Sequence, residues 1–255
     1  MTASLFTSSK LKIKRADQHV SELNSILQSF LNTDFYRLHI EKNPQDGLNV
    51  LKFEATRDMP CEVPLIMGDA IHNLRAALDL MACEIVTLAG DMPDRYINFP
   101  FQTDRNQLIA TINGGKIKAA PPAIIDLIVD TIKPYKGGDD VLYAMNDLDI
   151  MDKHRLLIPV VAVTAITDVN MSDECGNTFH FRTIAVGHGG KLNLVGTPTN
   201  IKITKQGNPA FDVFFDKGQV FEGKSVIPTL HQLSQLVSSI VQTIEKAYLA
   251  LSKNP

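Results

Sequence analysis

The sequence predicts an α+β fold: a helical bundle around one central buried helix, an antiparallel β-meander, and a C-terminal helix that returns to the bundle. Three observations carry this. Over residues 64–90, Met67, Ile71, Leu74, Leu78, Met81, Ile85 and Leu88 recur at spacings of four and three, and the opposite side, with Ala70, Ala77, Leu80 and Cys83, is hardly more polar. A helix apolar on most sides is buried on most sides. Residues 157–223 break into short alternating segments separated by turn residues, the pattern of an antiparallel sheet. Residues 225–252 then return to helical periodicity through Leu230, Leu233, Val237, Ile240, Ile244, Ala247 and Leu251.

Taken in order, residues 15–32 form the first helix, with Ala16, Val20, Leu23, Leu27 and Phe30 on its inner stripe. A hairpin follows. Tyr36, Leu38 and Ile40 alternate with Arg37, His39 and Glu41, Asn43-Pro44-Gln45-Asp46-Gly47 turns the chain, and Leu51, Phe53 and Ala55 alternate on the return. After the central helix, Tyr96 to Phe101 reads as a short extended piece that Pro100 keeps at an edge. Residues 106–112 make one or two helical turns stopped by Gly114-Gly115, and Pro121-Pro122 opens a helix that Lys133-Pro134-Tyr135 ends. Asp139 or Asp140 caps a helix through residue 156. The strand segments occupy residues 157–223, with QVFEG (219–223) the last of them. Pro228 sits in the first turn of the closing helix. Because that helix rejoins the bundle, residues 1–255 are expected to form a single domain, with helical parts about 10–156 and 225–252.

Composition narrows the class. An apolar fraction of 44% supports a sizeable core, and a net charge of −3 argues against a broad phosphate-binding face, so a nucleic-acid partner is not expected. Cys61, Cys83 and Cys175 form no CxxC pair and cannot all pair internally, which fits a reducing cytoplasmic setting. No signal-like run opens the chain and no stretch has membrane-spanning length, so no membrane partner is expected. The surplus of apolar helix faces allows a homodimer.

Polar residues in the central helix are the informative ones, since charge on a desolvated surface must be paired. His72, Arg75 and Asp79 fall in one narrow sector beside the core stripe. A second stretch, DVLYAMNDLDIMDKHRLLIP (140–159), carries Asp149 and Asp152 three apart on one face, with Asp152 and Arg155 continuing its core line and His154 just before the chain turns extended. The two helices are expected to touch. If the cluster is structural, Arg75 with Asp152 and Arg155 with Asp79 are the expected ion pairs; Arg75 and Asp79, four apart, can partly pair with each other, and at least one of them should meet Asp152, His154 or Arg155. As a site, His72 and His154 would be acid–base groups or ligands, Asp79 and Asp152 would orient them or bind a metal, and Arg75 and Arg155 would hold an anionic substrate. A divalent metal is the candidate cofactor, with His72, Asp149, Asp152 and His154 as its ligands. Asp69 belongs to the same cluster.

Other signals are weaker. Gly187-His188-Gly189-Gly190 resembles an oxyanion-loop string but has no Gly-x-Ser-x-Gly partner, and reads as a hairpin turn. Cys175 lies in a polar loop. His19, His39, His180 and His231 are assigned to surface or strand faces.

The stretch GDAIHNLRAALDLMA resembles the signature helix of a large group of bacterial and phage proteins without an assigned activity, and Asn98-Phe99-Pro100, Ile132-Lys133-Pro134-Tyr135 and Asp152-Lys153-His154-Arg155 extend that resemblance. It covers residues 68–155 and implies the fold, not an activity. The group has a loose likeness to HEPN-type helical RNases; Arg75 fits their arginine, but Leu80 stands where some relatives have histidine, which argues against RNase chemistry. The function expected is therefore a small hydrolase acting on a phosphoester or another ester of a small-molecule substrate. The alternative is a non-enzymatic helical scaffold or dimerising binding protein whose charged cluster is structural.

Overall fold

The computed structural model describes residues 5–252 apart from 43, 46, 48, 186–190, 194–200 and 206. It is an α+β fold with helices packed together and two antiparallel sheets. Helix α1 (Thr7–Leu31) leads into the hairpin β1 (Tyr36–Lys42) and β2 (Asn49–Ala55). Helix α2 (Glu62–Leu88) is the predicted central helix, and every residue of its apolar stripe from Met67 to Ile85 is shut off from solvent. After α3 (Arg105–Gly114) and a 3-10 turn (Lys116–Ala119) comes α4 (Pro122–Asp126), which widens into a π-helical turn (Leu127–Ile132). Lys133, left-handed at φ 54°, and Pro134 end it. Helix α5 (Asp140–His154) is capped by the Asp139 carboxylate, which accepts from the Leu142 N–H at 2.9 Å. Strands β3 (Pro159–Asp173), β4 (Thr178–Ala185), β5 (Lys191–Asn193), β6 (Ile201–Lys205) and β7 (Asn208–Phe215) precede α6 (Val226–Leu251).

Helix α2 packs against α1, α5 and α6. Lys12 on α1 reaches Asn73 on α2 (3.1 Å), and Ser234 on α6 donates to Asp17 on α1 (2.5 Å). With Phe6 bonded to Glu84 on α2 and Lys10 to Glu245 on α6, these pairings make α1 antiparallel to both neighbours, so α2 and α6 run parallel, as two matching apolar stripes allow. Helix α5 crosses α2 in the antiparallel sense: Arg75 meets Asn146, His72 meets Asp149, and Gly68 meets Asp152.

Where the chain departs from its local pattern, long-range contacts explain it. Helix α1 begins at Thr7, well before residue 15. Its start is fixed by Phe6, which is buried, donates its N–H to Glu84 on α2 (2.6 Å) and rests its ring near Tyr248 on α6. Tyr96 to Phe101 is irregular rather than extended, because α2 side chains capture its backbone, as described below. The sheet is antiparallel, but not in simple meander order. Strand β3 lies between β4 and the successive strands β6 and β7, while β5 leaves to pair with β2 (Leu51 opposite Leu192). The β3–β4 register runs unbroken past Asp168 (φ 56°), whereas β3 shifts register against β6 between Asn170 and Met171 and against β7 between Val163 and Ala165. Residues 219–223 form a tight loop under β7 instead of a strand. Gly218 (φ 80°) and Gly223 (φ 71°), both left-handed, bracket it. His19 is buried on the inner face of α1, near Glu22 one turn on (3.7 Å), and not at the surface. His39, His180 and His231 do lie on strand or outer faces. The glycine-rich turn at 187–190 falls outside the described residues.

Two apolar clusters result. The larger joins all the main helices, and β7 contributes Val213 and Phe215 to it. The smaller lies between the hairpin and β3, around Leu38, Val163, Ile166, Val169 and Met171, with Phe211 of β7 packed on it. Strand β7 thus inserts into both. Among the described residues no helix is long and apolar enough to cross a membrane.

Candidate functional site

The polar residues of α2 sort into two neighbouring groups along the α5 crossing, one closed and one open. The closed group centres on Arg75. Its side chain is only 12% exposed, and its guanidinium bonds the Asp79 carboxylate one turn on, donates Nε–H to Asn146 Oδ1 (3.0 Å), and lies 4.8 Å from the centre of the Phe101 ring. Asp79 in turn accepts from the Phe99 N–H (2.7 Å), and Arg75 Nη2 leans toward the Phe99 carbonyl (3.4 Å). Arg75 and Asp79 therefore clamp the backbone of the Asn98-Phe99-Pro100 segment on both its donor and its acceptor. Free of that clamp, the Phe99 N–H would have to be satisfied elsewhere, whereas the Phe99 carbonyl also accepts from the Phe101 N–H (3.0 Å). The clamped segment walls a cavity of about 230 Å³ beside Ile112 and Lys116, whose ammonium is held by Asp94 at 3.2 Å.

The expected ion pairs of Arg75 with Asp152 and of Asp79 with Arg155 are not formed. Arg75 meets α5 one and a half turns earlier, at the neutral Asn146, and neither Arg75 nor Asp79 contacts Asp152, His154 or Arg155. Asp152, within α5, packs against Gly68, two turns before Arg75, and Arg155 is lost at the end of α5. The helix stops at His154, and Arg155 is extended (φ −158°, ψ 141°), so it leaves the helical line that would have carried it to the core. Arg155 is exposed and leans on Met151 Sδ (3.5 Å); His154 is exposed.

The open group centres on Asp149. Its side chain is 3% exposed, and it accepts from His72 Nδ1 (3.1 Å) on α2 and from the Lys153 ammonium (2.6 Å) one turn on along α5. A carboxylate that deep needs both partners. The His72 ring is 56% exposed, and with Nδ1 engaged its Nε2 is the nitrogen left for solvent. The buried carboxylate fixes the neutral ring's proton on Nδ1, which leaves Nε2 as the lone-pair nitrogen.

One turn before His72, Gly68 receives the Asp152 side chain. A Cβ at Gly68 would lie 2.2 Å from Asp152 Oδ2, so only glycine admits that carboxyl group. Asp152 Oδ1 is enclosed and has no hydrogen-bond partner. Burial, then the like charges of Asp149 and Asp69, push the Asp152 carboxyl above its ordinary value of 3.8, while His72 and the Leu157 N–H pull the other way. His72, Asp149 and Asp152 are thus gathered, with exposed Asp69 beside them, whereas Arg75 and Asp79 belong to the clamp and His154 and Arg155 stand apart.

Among the described residues no three His, Cys, Asp or Glu side chains converge as a metal-ligand set, so the expected quartet of His72, Asp149, Asp152 and His154 is not assembled. Cys61 and Cys175 are exposed, and burial, with Asp79 and Asp94 behind it, pushes the Cys83 thiol up, away from the reactive thiolate. Lys153 and Asn146 escaped the sequence reading although the signal was present: Asn146, Asp149 and Lys153 recur at three and four, one face of α5. No family model, no curated protein and no solved structure matches this chain.

Proposed function

We propose that the open group is a general acid–base site and that the protein is a small hydrolase acting on an ester. The observation that supports this is the His72–Asp149 pair: a half-exposed imidazole whose Nδ1 is engaged by a buried carboxylate and whose Nε2 faces outward. That is the base-and-orienter arrangement hydrolysis requires. In this reading Nε2 takes a proton from a water molecule, the hydroxide attacks the ester's carbon or phosphorus, and the bond to the leaving oxygen breaks as that oxygen gains a proton. Asp149 holds the ring and balances the imidazolium that forms. Asp152, with its carboxyl biased toward the protonated form, is the second proton carrier, one helical turn away across Gly68.

The experiment is a hydrolysis panel with purified protein, p-nitrophenyl acetate and bis(p-nitrophenyl) phosphate as substrates, assayed with and without magnesium or zinc. Wild type turns over at least one of them, His72→Gln loses that activity at unchanged melting temperature, and His154→Gln keeps it. Absence of any His72-dependent turnover across the panel would contradict the reading. A second reading, a non-enzymatic scaffold, is favoured by one observation: the Arg75 group is closed and fully partnered, as a structural lock must be. The same panel separates the two.

A further inference from the structure

Resting on the acid–base reading of His72, we infer that the substrate is a neutral carboxylic ester with an apolar acyl chain, and that Leu65 and Leu156 bind that chain. Two observations that the proposed chemistry does not use point there. The first is charge. Asp69 and Asp149 bring negative charge to the group of His72 and Asp152, and Lys153, the cation bonded into it, is already spent on Asp149. Arg75 is withdrawn into its clamp, and Arg155 leans away on Met151. A phosphate monoester dianion would meet a field of its own sign with no guanidinium to receive it. A neutral ester meets no such barrier.

The second observation is apolar exposure at one end of the site. Leu65 is 53% exposed, and it shares a face with Asp69 and His72, one and two turns along α2. Leu156 is 55% exposed and follows the end of α5, next to Leu157, whose N–H bonds Asp152. Gly68, three residues after Leu65, receives the Asp152 carboxyl, and Leu157, one residue after Leu156, bonds that same carboxyl, so the two leucines flank the Gly68–Asp152 contact. Ile158, 56% exposed and two residues on, extends the strip along the start of β3. Large aliphatic side chains left in water beside a half-exposed base offer contact area to the part of a substrate that does not react.

The test is kcat/KM for p-nitrophenyl acetate, butyrate and hexanoate, with p-nitrophenyl phosphate alongside. Efficiency is expected to rise about 10-fold from acetate to hexanoate, as partial burial of the added methylenes requires. Phosphate should not be turned over. Leu65→Ser and Leu156→Ser should each pull the hexanoate-to-acetate ratio down toward one, and Leu249→Ser, an exposed leucine on α6, should leave it as in wild type. A His72-dependent esterase whose rate is flat along the series, whose ratio ignores both leucines, or which prefers the phosphate overturns this inference and leaves the hydrolase reading standing. No His72-dependent turnover of any ester overturns both.

Discussion

Arg75 shows how a buried charge can be structural and still be readable. Its helical position demanded a partner, and it has three: Asp79, Asn146 and the Phe99 carbonyl. Removing it by Arg75→Met strands Asp79 and should cost about 3 kcal/mol, measured by urea denaturation; Arg75→Met with Asp79→Leu should recover part of that loss, whereas pairing Arg75→Met with Asp152→Leu should recover none. The spacing of four allows the Arg75–Asp79 pair; that Asn146 and not Asp152 meets Arg75 across the crossing was not legible, because it depends on how α5 crosses α2. Gly68 makes the complementary case. Gly68→Ala drives a methyl into the Asp152 carboxyl and should destabilise by about 1–3 kcal/mol, and Asp152→Ala in the same chain should relieve most of it. Asp152 also sets a pH dependence. Its carboxyl is raised in the folded state, so between the ordinary value of 3.8 and the raised one the native protein holds a proton that the unfolded chain has released. Stability therefore falls as pH rises through that window, and its contribution is fullest below it. Asp152→Asn should flatten the dependence, as read from denaturation midpoints on either side of the window.

At the scale of elements, α2 was legible almost to the residue, since a stripe of large aliphatics at three-and-four spacing has one physical solution, a helix buried on most sides. Leu74 and Leu78 are fully enclosed, and Leu74→Ala or Leu78→Ala should each cost about 2–5 kcal/mol in thermal or urea unfolding. A loss below about 1 kcal/mol at both would mean that α2 is peripheral. The Asp139 cap, the stop at Lys133-Pro134 and the face shared by Asp149 and Asp152 were readable for the same reason: each is set by neighbours within a turn. The start of α1 was not, because Phe6 and Lys10 are held by Glu84 and Glu245, far along the chain. Nor was the fate of Tyr96 to Phe101, whose backbone is claimed by side chains about 20 residues earlier.

For the molecule as a whole, alternation located the strands of 159–215, but not their order, because alternation sets which face is buried and leaves the partner strand open. Strand β5 leaves for the hairpin sheet and β4 and β6 both pair with β3; β6 joins the apolar cluster between the two sheets through Ile201 and Ile203. Strand β7 ties that cluster to the helical core through Phe211 on one side and Val213 and Phe215 on the other. The helices and the β-sheets should therefore unfold together, giving coincident urea transitions by far-UV circular dichroism and by tyrosine fluorescence, the latter clean because the chain has no tryptophan. Separate transitions would show that the sheets melt independently.

His72 and Asp149 are proposed to act as one unit across the α2–α5 crossing. A double-mutant cycle in kcat/KM on the best p-nitrophenyl ester tests it most directly. His72→Gln should lower the rate by about 100-fold or more, Asp149→Asn by about 10-fold or more, and the double variant no further than His72→Gln alone, because an orienting carboxylate has nothing to orient once the imidazole is gone. Losses that multiply in the double variant, or a His72→Gln protein as active as wild type, would show that the two side chains do not form a catalytic unit.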